Sequence, residues 1–579
     1  MSTVFLVIGF RIGSALWFDQ RHVPCRYFSF PDLIKLVQAV TLGSVCVTLV
    51  DALALSNVTI PRSILLLDWG VTLLLLAAVN SLPRLLHSIS WNPFTQSSEE
   101  PTRALIVGAN DSGEGLVRAI QRSPNLSYRP VGFVDDEVQN QSRRIAGIPV
   151  LGTLSDVASL ASKYSVEEVL ITSGELPGRQ VRELVELATD QEFCVRVLPS
   201  YEQLLREDVA IRPREVAITD LLRRPPVQLN TAEIRQWIRG RIVMVTGSCG
   251  SIGSEIASQL LPLDPAKVIL VDRSETGQFF LDRDLSPVSP GVDREVVIAD
   301  LTDRDRLHAV FQRHRPDIIF HAAAYKHVPL MEAHPGEAVK NIVLATRNIV
   351  DLAEEYEAES LVMISTDKAV NPTSVMGSCK RVAEQYVQAK AVSSNCRLET
   401  VRFGNVLDSA GSVVPIFRQQ IASGGPVTVT HPDMIRYFML IPEAAQLVIQ
   451  AGAMGKGGEI FVLDMGEPVK LMNLARDMIR LSGLRAGEDI DIKVTGLRPG
   501  EKLYEELYSA NEEHKPTAHN KIMVAASTPQ NLLQVISDIN RLVGAANGPE
   551  ERIRSMLCEI VPQCQPERLR PESVRSRAA

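Results

Sequence analysis

The sequence predicts an α/β protein made of two doubly wound domains in tandem, preceded by an α-helical apolar region. Three observations carry this: two apolar stretches before residue 90, a βα turn opening at Arg103, and a more glycine-rich βα turn opening at Ile242. At 579 residues the chain is too long for one hydrophobic core. Its net charge of -8 gives no electrostatic case for a nucleic-acid partner. The eight cysteines are scattered without a CxxC pair, so neither a zinc site nor a disulfide framework is expected, and no metal is.

Residues 1–90 form the predicted membrane region. Residues 33–55 are almost wholly apolar or small, interrupted by Lys35, Gln38 and Asp51. Residues 63–86 form a second stretch if Asn80 and Arg84 lie at an interface, although Asp68 sits inside it. A crossing helix needs about 20 residues, so both are candidate transmembrane helices, with a buried hairpin as the alternative. Arg11, Arg21, Arg26 and Lys35 lie at the near end and Arg84 and Arg103 at the far end, whereas only Arg62 lies between. That asymmetry puts both ends in the cytoplasm and predicts a multi-pass protein of the cell inner membrane, with the lipid bilayer as a partner and the catalytic mass cytoplasmic. Residues 1–16 are apolar but broken by Arg11, and read as an interfacial segment, not a cleaved signal peptide.

Residues 91–102 are a polar linker containing Pro93 and Pro101. Residues 103–199 then read as a Rossmann-like domain, opening on a strand that enters Gly108-Ala109-Asn110-Asp111-Ser112-Gly113. Asn110 stands where the middle glycine would let a pyrophosphate approach, so packing without a ligand is the favoured role. Residues 200–230 read as a connecting arm.

The catalytic domain, 231–564, opens on the β-branched strand Ile242–Thr246 and the loop Gly247-Ser248-Cys249-Gly250-Ser251-Ile252-Gly253. Glycines at this spacing let a pyrophosphate sit on bare backbone at a helix N-terminus, beside Ser251 and Ile252. Asp272 ends the next strand, where a carboxylate can bond an adenosine ribose, favouring NAD over NADP. Arg273 could instead meet a 2′-phosphate. Asp300 and Leu301 end the third strand and can bracket an adenine. Ala322 and Ala323 let a cofactor pass close, Lys326 can hold a substrate phosphate or be a solvated loop lysine, and Asn341 is a polar strut beneath the site. Residues 565–579 mix Arg and Glu with Pro and Ser and read as a disordered tail.

The chemistry centres on Thr366, Asp367 and Lys368, which end a buried strand where open α/β sheets bind ligands. Met376 and Lys380, four apart at the start of the next helix, share the face beside that strand end. Enzymes of the short-chain dehydrogenase type usually carry tyrosine and lysine at this spacing. Here the tyrosine is a methionine.

The runs TGSCGSIGSE, AAAYKHVP, ISTDKAVNPTSVMGSCK, RFGNVL, HPDMIRYFM and GLRPGEKLYEEL resemble the membrane-anchored, long-chain branch of the UDP-N-acetylglucosamine 4,6-dehydratases of bacterial polysaccharide and glycan biosynthesis. Those are extended members of the short-chain dehydrogenase/reductase (SDR) superfamily, and the likeness covers nearly the whole chain, although that branch commonly has four membrane spans. The resemblance implies a redox-neutral reaction: NAD takes hydride from sugar carbon 4, a proton leaves carbon 5, water leaves carbon 6, and the hydride returns to carbon 6. It makes Lys368 the base at carbon 5, its affinity for a proton lowered by burial beside the nicotinamide's positive charge and near Lys380, and Asp367 the acid at the carbon 6 oxygen. Thr366 bonds the carbon 4 oxygen and Lys380 the nicotinamide ribose, unless Lys380 merely pairs with Glu384 on an exposed helix. Asn405, Arg436 and Arg498 are implied contacts for the diphosphate or uridine, with Glu501 orienting Arg498. Asp367 is the first candidate to take the carbon 4 hydroxyl proton that methionine cannot accept. Asp408 stands where a glycine is common and would weaken anion binding if it faced inward. A homo-oligomer is expected. A nucleotide-sugar epimerase on the same scaffold, or a non-catalytic membrane scaffold binding nucleotide, are the alternatives.

Overall fold

The computed structural model describes residues 13–14, 17, 30–54, 61–89, 101–122, 127–140, 143–172, 176–191, 193–198, 214–221, 227, 229–287, 289, 291–509, 512–526 and 529–564. The expected linker and connecting arm fall largely outside these residues, and the expected tail entirely so. The chain divides into one unit of residues 1–102 with 117–129 and another of residues 103–116 with 130–579.

The first unit holds helices α1 (Phe30–Ala54) and α2 (Arg62–Ile89), where apolar helices were expected. Leu36 and Val40 pack with Trp69 and Leu73, and the Trp69 indole donates to Thr41 Oγ1 over 3.1 Å. Leu66, Leu67, Leu74 and Leu75 are left exposed. The expected crossing of a bilayer at 33–55 and 63–86 is not supported: among the described residues no helix is long and apolar enough to cross a membrane. Lys35 and Gln38 interrupt the apolar run of α1, and Asp68 that of α2.

In the second unit, seven strands form the first sheet: β1 (Thr102–Val107), β2 (Tyr128–Val134), β3 (Arg144–Ile145), β4 (Ile148–Gly152), β5 (Glu168–Thr172), β6 (Cys194–Leu198) and β7 (Arg214–Glu215), in the order β3-β4-β2-β1-β5-β6-β7. Asn110 Oδ1 accepts from Gly113 N over 3.0 Å, so the side chain in the middle-glycine position caps the helix that follows. Asp135, just past β2, accepts from Ala109 N and braces the loop from the other side.

The second sheet has nine strands. They are β8 (Ile242–Thr246), β9 (Lys267–Asp272), β10 (Asp293–Ile298), β11 (Ile318–His321), β12 (Ser360–Thr366), β13 (Arg397–Phe403), β18 (Ile460–Leu463), β21 (Glu513–Pro516) and β22 (Ile522–Ala526). The order is β10-β9-β8-β11-β12-β13-β18-β22-β21, parallel as far as β18. Val243–Val245, Val268–Val271 and Ile318–Phe320 are fully buried, as strands covered by helices on both faces must be. The order reverses between β8 and β11, so a crevice opens at their C-terminal ends.

The short strands β14 (Asn405–Val406), β15 (Val427–Val429), β16 (Ile435–Arg436), β17 (Phe438–Met439), β19 (Val469–Lys470) and β20 (Ile492–Val494) pair two by two in a lobe over that crevice. One apolar core runs through this lobe and the first sheet, joining Leu105, Val169 and Leu184 to Phe417, Leu474 and Ile479. Arg182 reaches Asp477 over 2.9 Å and Arg480 reaches Glu186 over 3.1 Å across the same junction. The residues of the first sheet that lie in the second unit therefore share a core with the lobe.

Candidate active site

The glycine loop ties the first crossover to the crevice. Gly247 has a φ of +66°, and a Cβ on it would come within 2.6 Å of the Ala323 backbone, so only glycine lets β8 and β11 end side by side. Helix α3 (Ser251–Leu260) follows, with Gly250 as its N-cap and no side-chain cap. The first-turn amides are thus left for a ligand. Asp272 Oδ2 accepts from Cys249 N over 3.1 Å and Oδ1 from Ser274 N over 2.9 Å, which fixes the carboxylate beside the loop. Arg273 lies over the Tyr325 ring, 4.6 Å from its centre, and 3.8 Å from Asp300, while Leu301 is buried in the core. The Arg273 guanidinium therefore already has an aromatic face and a carboxylate as partners.

A cavity of about 890 Å³ opens on this loop. Gly250, Ser251, Ile252 and Gly253 line it from one side, and Ala322 and Lys326 from the next loop. Thr366, Lys368, Met376 and Lys380 line the floor, and Asn405, Arg436, Arg498 and Glu501 the lobe side. Gly247, Asp272, Arg273, Asp300, Leu301, Ala323, Asn341 and Asp367 do not line it. Asn341 Oδ1 accepts from Tyr325 N over 2.7 Å, which places it as a strut for the 322–329 loop.

On the floor, β12 ends in a tight turn. Thr366 Oγ1 donates to Asp367 Oδ1 over 2.8 Å, and Lys368 Nζ donates to the same oxygen over 2.9 Å and to Asn405 Oδ1 over 3.3 Å. Asp367 is fully buried, and its Oδ2 has no hydrogen-bond partner among the described residues. Helix α4 (Val375–Ala391) begins beside the turn with Ser374 as its N-cap, its hydroxyl accepting from Gly377 N. It brings Met376 and Lys380 to the floor, as four-residue spacing requires.

One charge state differs from expectation. Lys368 was expected to lose its proton easily through burial beside the nicotinamide's charge and near Lys380; in the protein alone burial does pull in that direction, but Asp367 and Glu505 outweigh it and hold the ammonium above its ordinary range. Lys380 is the lysine with the weakened hold on its proton, brought down to about 8 by burial, with Nζ donating to Ile364 O over 2.9 Å. The pairing of Lys380 with Glu384 on an exposed helix is excluded, because both are buried and Glu384 belongs to Arg402 and Arg381 at 2.8 and 2.9 Å.

On the lobe side, Arg436 is almost buried and donates to the carbonyls of Ile435, Leu503 and Lys502. Arg498 is more than half exposed and pairs with Glu501 over 3.2 Å. Asp408 pairs with Arg418 over 3.1 Å and does not line the cavity. The residue that sequence reasoning missed is Glu505. Its carboxylate lies 3.9 Å from Lys368 Nζ and 3.8 Å from Arg436. It stands in a loop with no hydrophobic period to expose it, although it falls inside the run GLRPGEKLYEEL.

The sheet reversal, the glycine loop at it, and a buried lysine on the helix beside the neighbouring strand end define the class: an enzyme of the extended SDR type. Comparison with known proteins narrows this. Residues 243–527 match the family model described as "Polysaccharide biosynthesis protein", and residues 30–199 match one described as "CoA-binding domain". The chain is 40% identical over 526 residues to the "Capsular polysaccharide biosynthesis protein CapD" of Staphylococcus aureus, spanning 90% of this chain and 87% of that one. It is 38% identical over 562 residues to the "Probable polysaccharide biosynthesis protein EpsC" of Bacillus subtilis, spanning 96% and 92%. It is 31% identical over 280 residues to a "UDP-N-acetylglucosamine 4,6-dehydratase (inverting)" of Campylobacter jejuni, spanning 48% and 79%. The chain belongs to this polysaccharide biosynthesis family of extended SDR proteins.

Proposed function

We propose that the chain catalyses NAD-dependent 4,6-dehydration of UDP-N-acetylglucosamine to the 4-keto-6-deoxy sugar nucleotide, for polysaccharide or glycan assembly. The observation that carries this is the ion pair of buried Asp367 with Lys368, which lines a cavity that the glycine loop also lines. A plain oxidoreductase or epimerase needs no acid for a leaving hydroxyl, whereas elimination does.

The site fits a dinucleotide: uncapped amides open α3, and Asp272 is fixed beside them for a ribose. Bound NAD supplies the acceptor for the carbon 4 hydride and its return to carbon 6. The protein supplies the rest. Lys380 holds the nicotinamide ribose, and Thr366 bonds the carbon 4 oxygen. Asp367, with its free Oδ2, takes the carbon 4 hydroxyl proton and passes one to the departing carbon 6 oxygen, so one carboxylate serves both steps. Lys368 removes the carbon 5 proton once the adjacent ketone has acidified it. Arg498, Lys326 and Asn405 meet the diphosphate and uridine, with Arg436 closing that side.

The exposed leucines of α1 and α2 support a further part of the reading, association with a lipid bilayer through this hairpin. Cell fractionation with and without residues 1–90 tests it, since release of the truncated protein from membranes is the expected result. For the catalytic reading, the test is the mass of the sugar nucleotide after incubation with UDP-N-acetylglucosamine. Loss of one water is expected; an isomer of unchanged mass would mean an epimerase.

A further inference from the structure

We propose that Glu505 is the positioning residue that lets Lys368 work as a base, by sharing one proton with it across the cavity floor; this rests on the dehydratase reading. To take a proton from carbon 5, Lys368 must be an amine, yet here it is an ammonium held by Asp367. Asp367 cannot store the surplus proton, because its carboxylate is needed at the carbon 4 and carbon 6 oxygens. Glu505 can. Its side chain is 4% exposed, it lines the cavity, and its Oε2 is buried without a hydrogen-bond partner among the described residues. Burial also pushes its carboxyl above the ordinary range.

Of the other charges near the pair, Arg436 stands 3.8 Å from Glu505 but is also held by carbonyls, and the rest are committed elsewhere. Arg436 donates to three carbonyls, Lys502 Nζ donates to Val370 O over 2.9 Å, Lys380 Nζ to Ile364 O, and Glu501 is paired with Arg498. Glu505 Oε1 stands 3.9 Å from Lys368 Nζ, a separation that one water or a small side-chain rotation closes. In the transfer, an N–H bond of Lys368 breaks and an O–H bond forms on Glu505, leaving a neutral amine and a neutral acid. The amine lone pair then takes the carbon 5 proton, and the C–H electron pair passes into the carbon 4 carbonyl as an enolate.

The charged and neutral forms of this pair contain the same number of protons. The reactive fraction is therefore independent of pH between the pair's two titrations. The test compares wild type, Glu505→Gln and Glu505→Asp by pH–rate profile with UDP-N-acetylglucosamine, and by the pH dependence of Lys368 labelling with an amine-directed reagent, read by peptide mass. Wild type should be flat around neutrality in both. Glu505→Gln should lose about a hundredfold in rate at pH 7 and regain about tenfold per pH unit toward the alkaline side, with bound NAD retained. Glu505→Asp should restore the flat profile at an intermediate rate. A Glu505→Gln profile that merely parallels wild type, in rate and in labelling, overturns the inference whatever its absolute height. Labelling needs no turnover, so a wild type that forms no dehydrated product would count against the dehydratase reading alone and leave the Glu505 test standing.

Discussion

A Cβ at Gly377 would lie 2.2 Å from the carbonyl oxygen of Lys368, so the helix carrying Met376 and Lys380 meets the catalytic turn backbone to backbone. Nothing larger than hydrogen fits. Gly377→Ala should push the turn away from α4. Alanine gains about 1 kcal/mol in helix propensity, but overpacking costs about 1–3 kcal/mol and here strikes backbone. A net loss of stability is expected in urea unfolding. Turnover should fall by about a hundredfold, as for a misplacement of about 1 Å.

Lys368→Ala should abolish turnover while the purified protein keeps its NAD, since Lys368 bonds Asp367 and Asn405 and no atom of the glycine loop. Full activity in this variant would remove Lys368 as the base. Loss of NAD together with activity would mean that the floor and the cofactor cradle are one structural unit.

Arg498 is exposed and, among the described residues, pairs with Glu501 alone, so it is free to swing onto a diphosphate. Arg498→Ala should raise KM about tenfold, roughly 1.4 kcal/mol of binding, with kcat little changed. A fall in kcat at constant KM would instead place the guanidinium at the reacting carbons.

Beneath the site, Arg402 is fully buried between Glu384 and Glu512, at 2.8 and 3.0 Å. Removing it by Arg402→Ala should cost about 3–5 kcal/mol, because two carboxylates are left buried without it. Burial alone would raise the Glu384 carboxyl, but Arg402, Arg381 and the Ser365 hydroxyl outweigh it and hold it down at about 2. A folded value below the unfolded one means stability present in full above about pH 4.5 and lost as pH falls toward about 2. Glu384→Gln should be less stable at pH 7 and should show a shallower decline in urea midpoint between pH 5 and pH 3, within about a pH unit.

Much of this arrangement is local in sequence and therefore legible there. Gly247, Gly250 and Gly253 with Asp272 announce a glycine loop because a strand, a turn and a helix must follow one another at fixed spacing. Met376 and Lys380 share a face because a helix returns after four residues. Beyond the adjacent Asp367, the partners of Lys368 are not local. Glu505 arrives from 137 positions further along, in a loop without period, so a sequence that shows a buried lysine cannot show that two carboxylates keep it charged. Arg436 likewise looks like a free cation until Ile435, Lys502 and Leu503 turn their carbonyls toward it. The apolar stretches at 33–55 and 63–86 gave their helices correctly, because helix formation follows from composition. Whether a helix crosses a bilayer depends on uninterrupted apolar length, which Lys35, Gln38 and Asp68 reduce.

The central claim is that oxidation at carbon 4 and reduction at carbon 6 are two halves of one turnover. Incubation with UDP-N-acetylglucosamine carrying deuterium at carbon 4, followed by mass and proton spectra of the product, tests this most directly. The account predicts loss of one water with the deuterium recovered at carbon 6 and no net consumption of NAD. A product of unchanged mass, or a dehydrated product with the deuterium lost from the sugar, would contradict it.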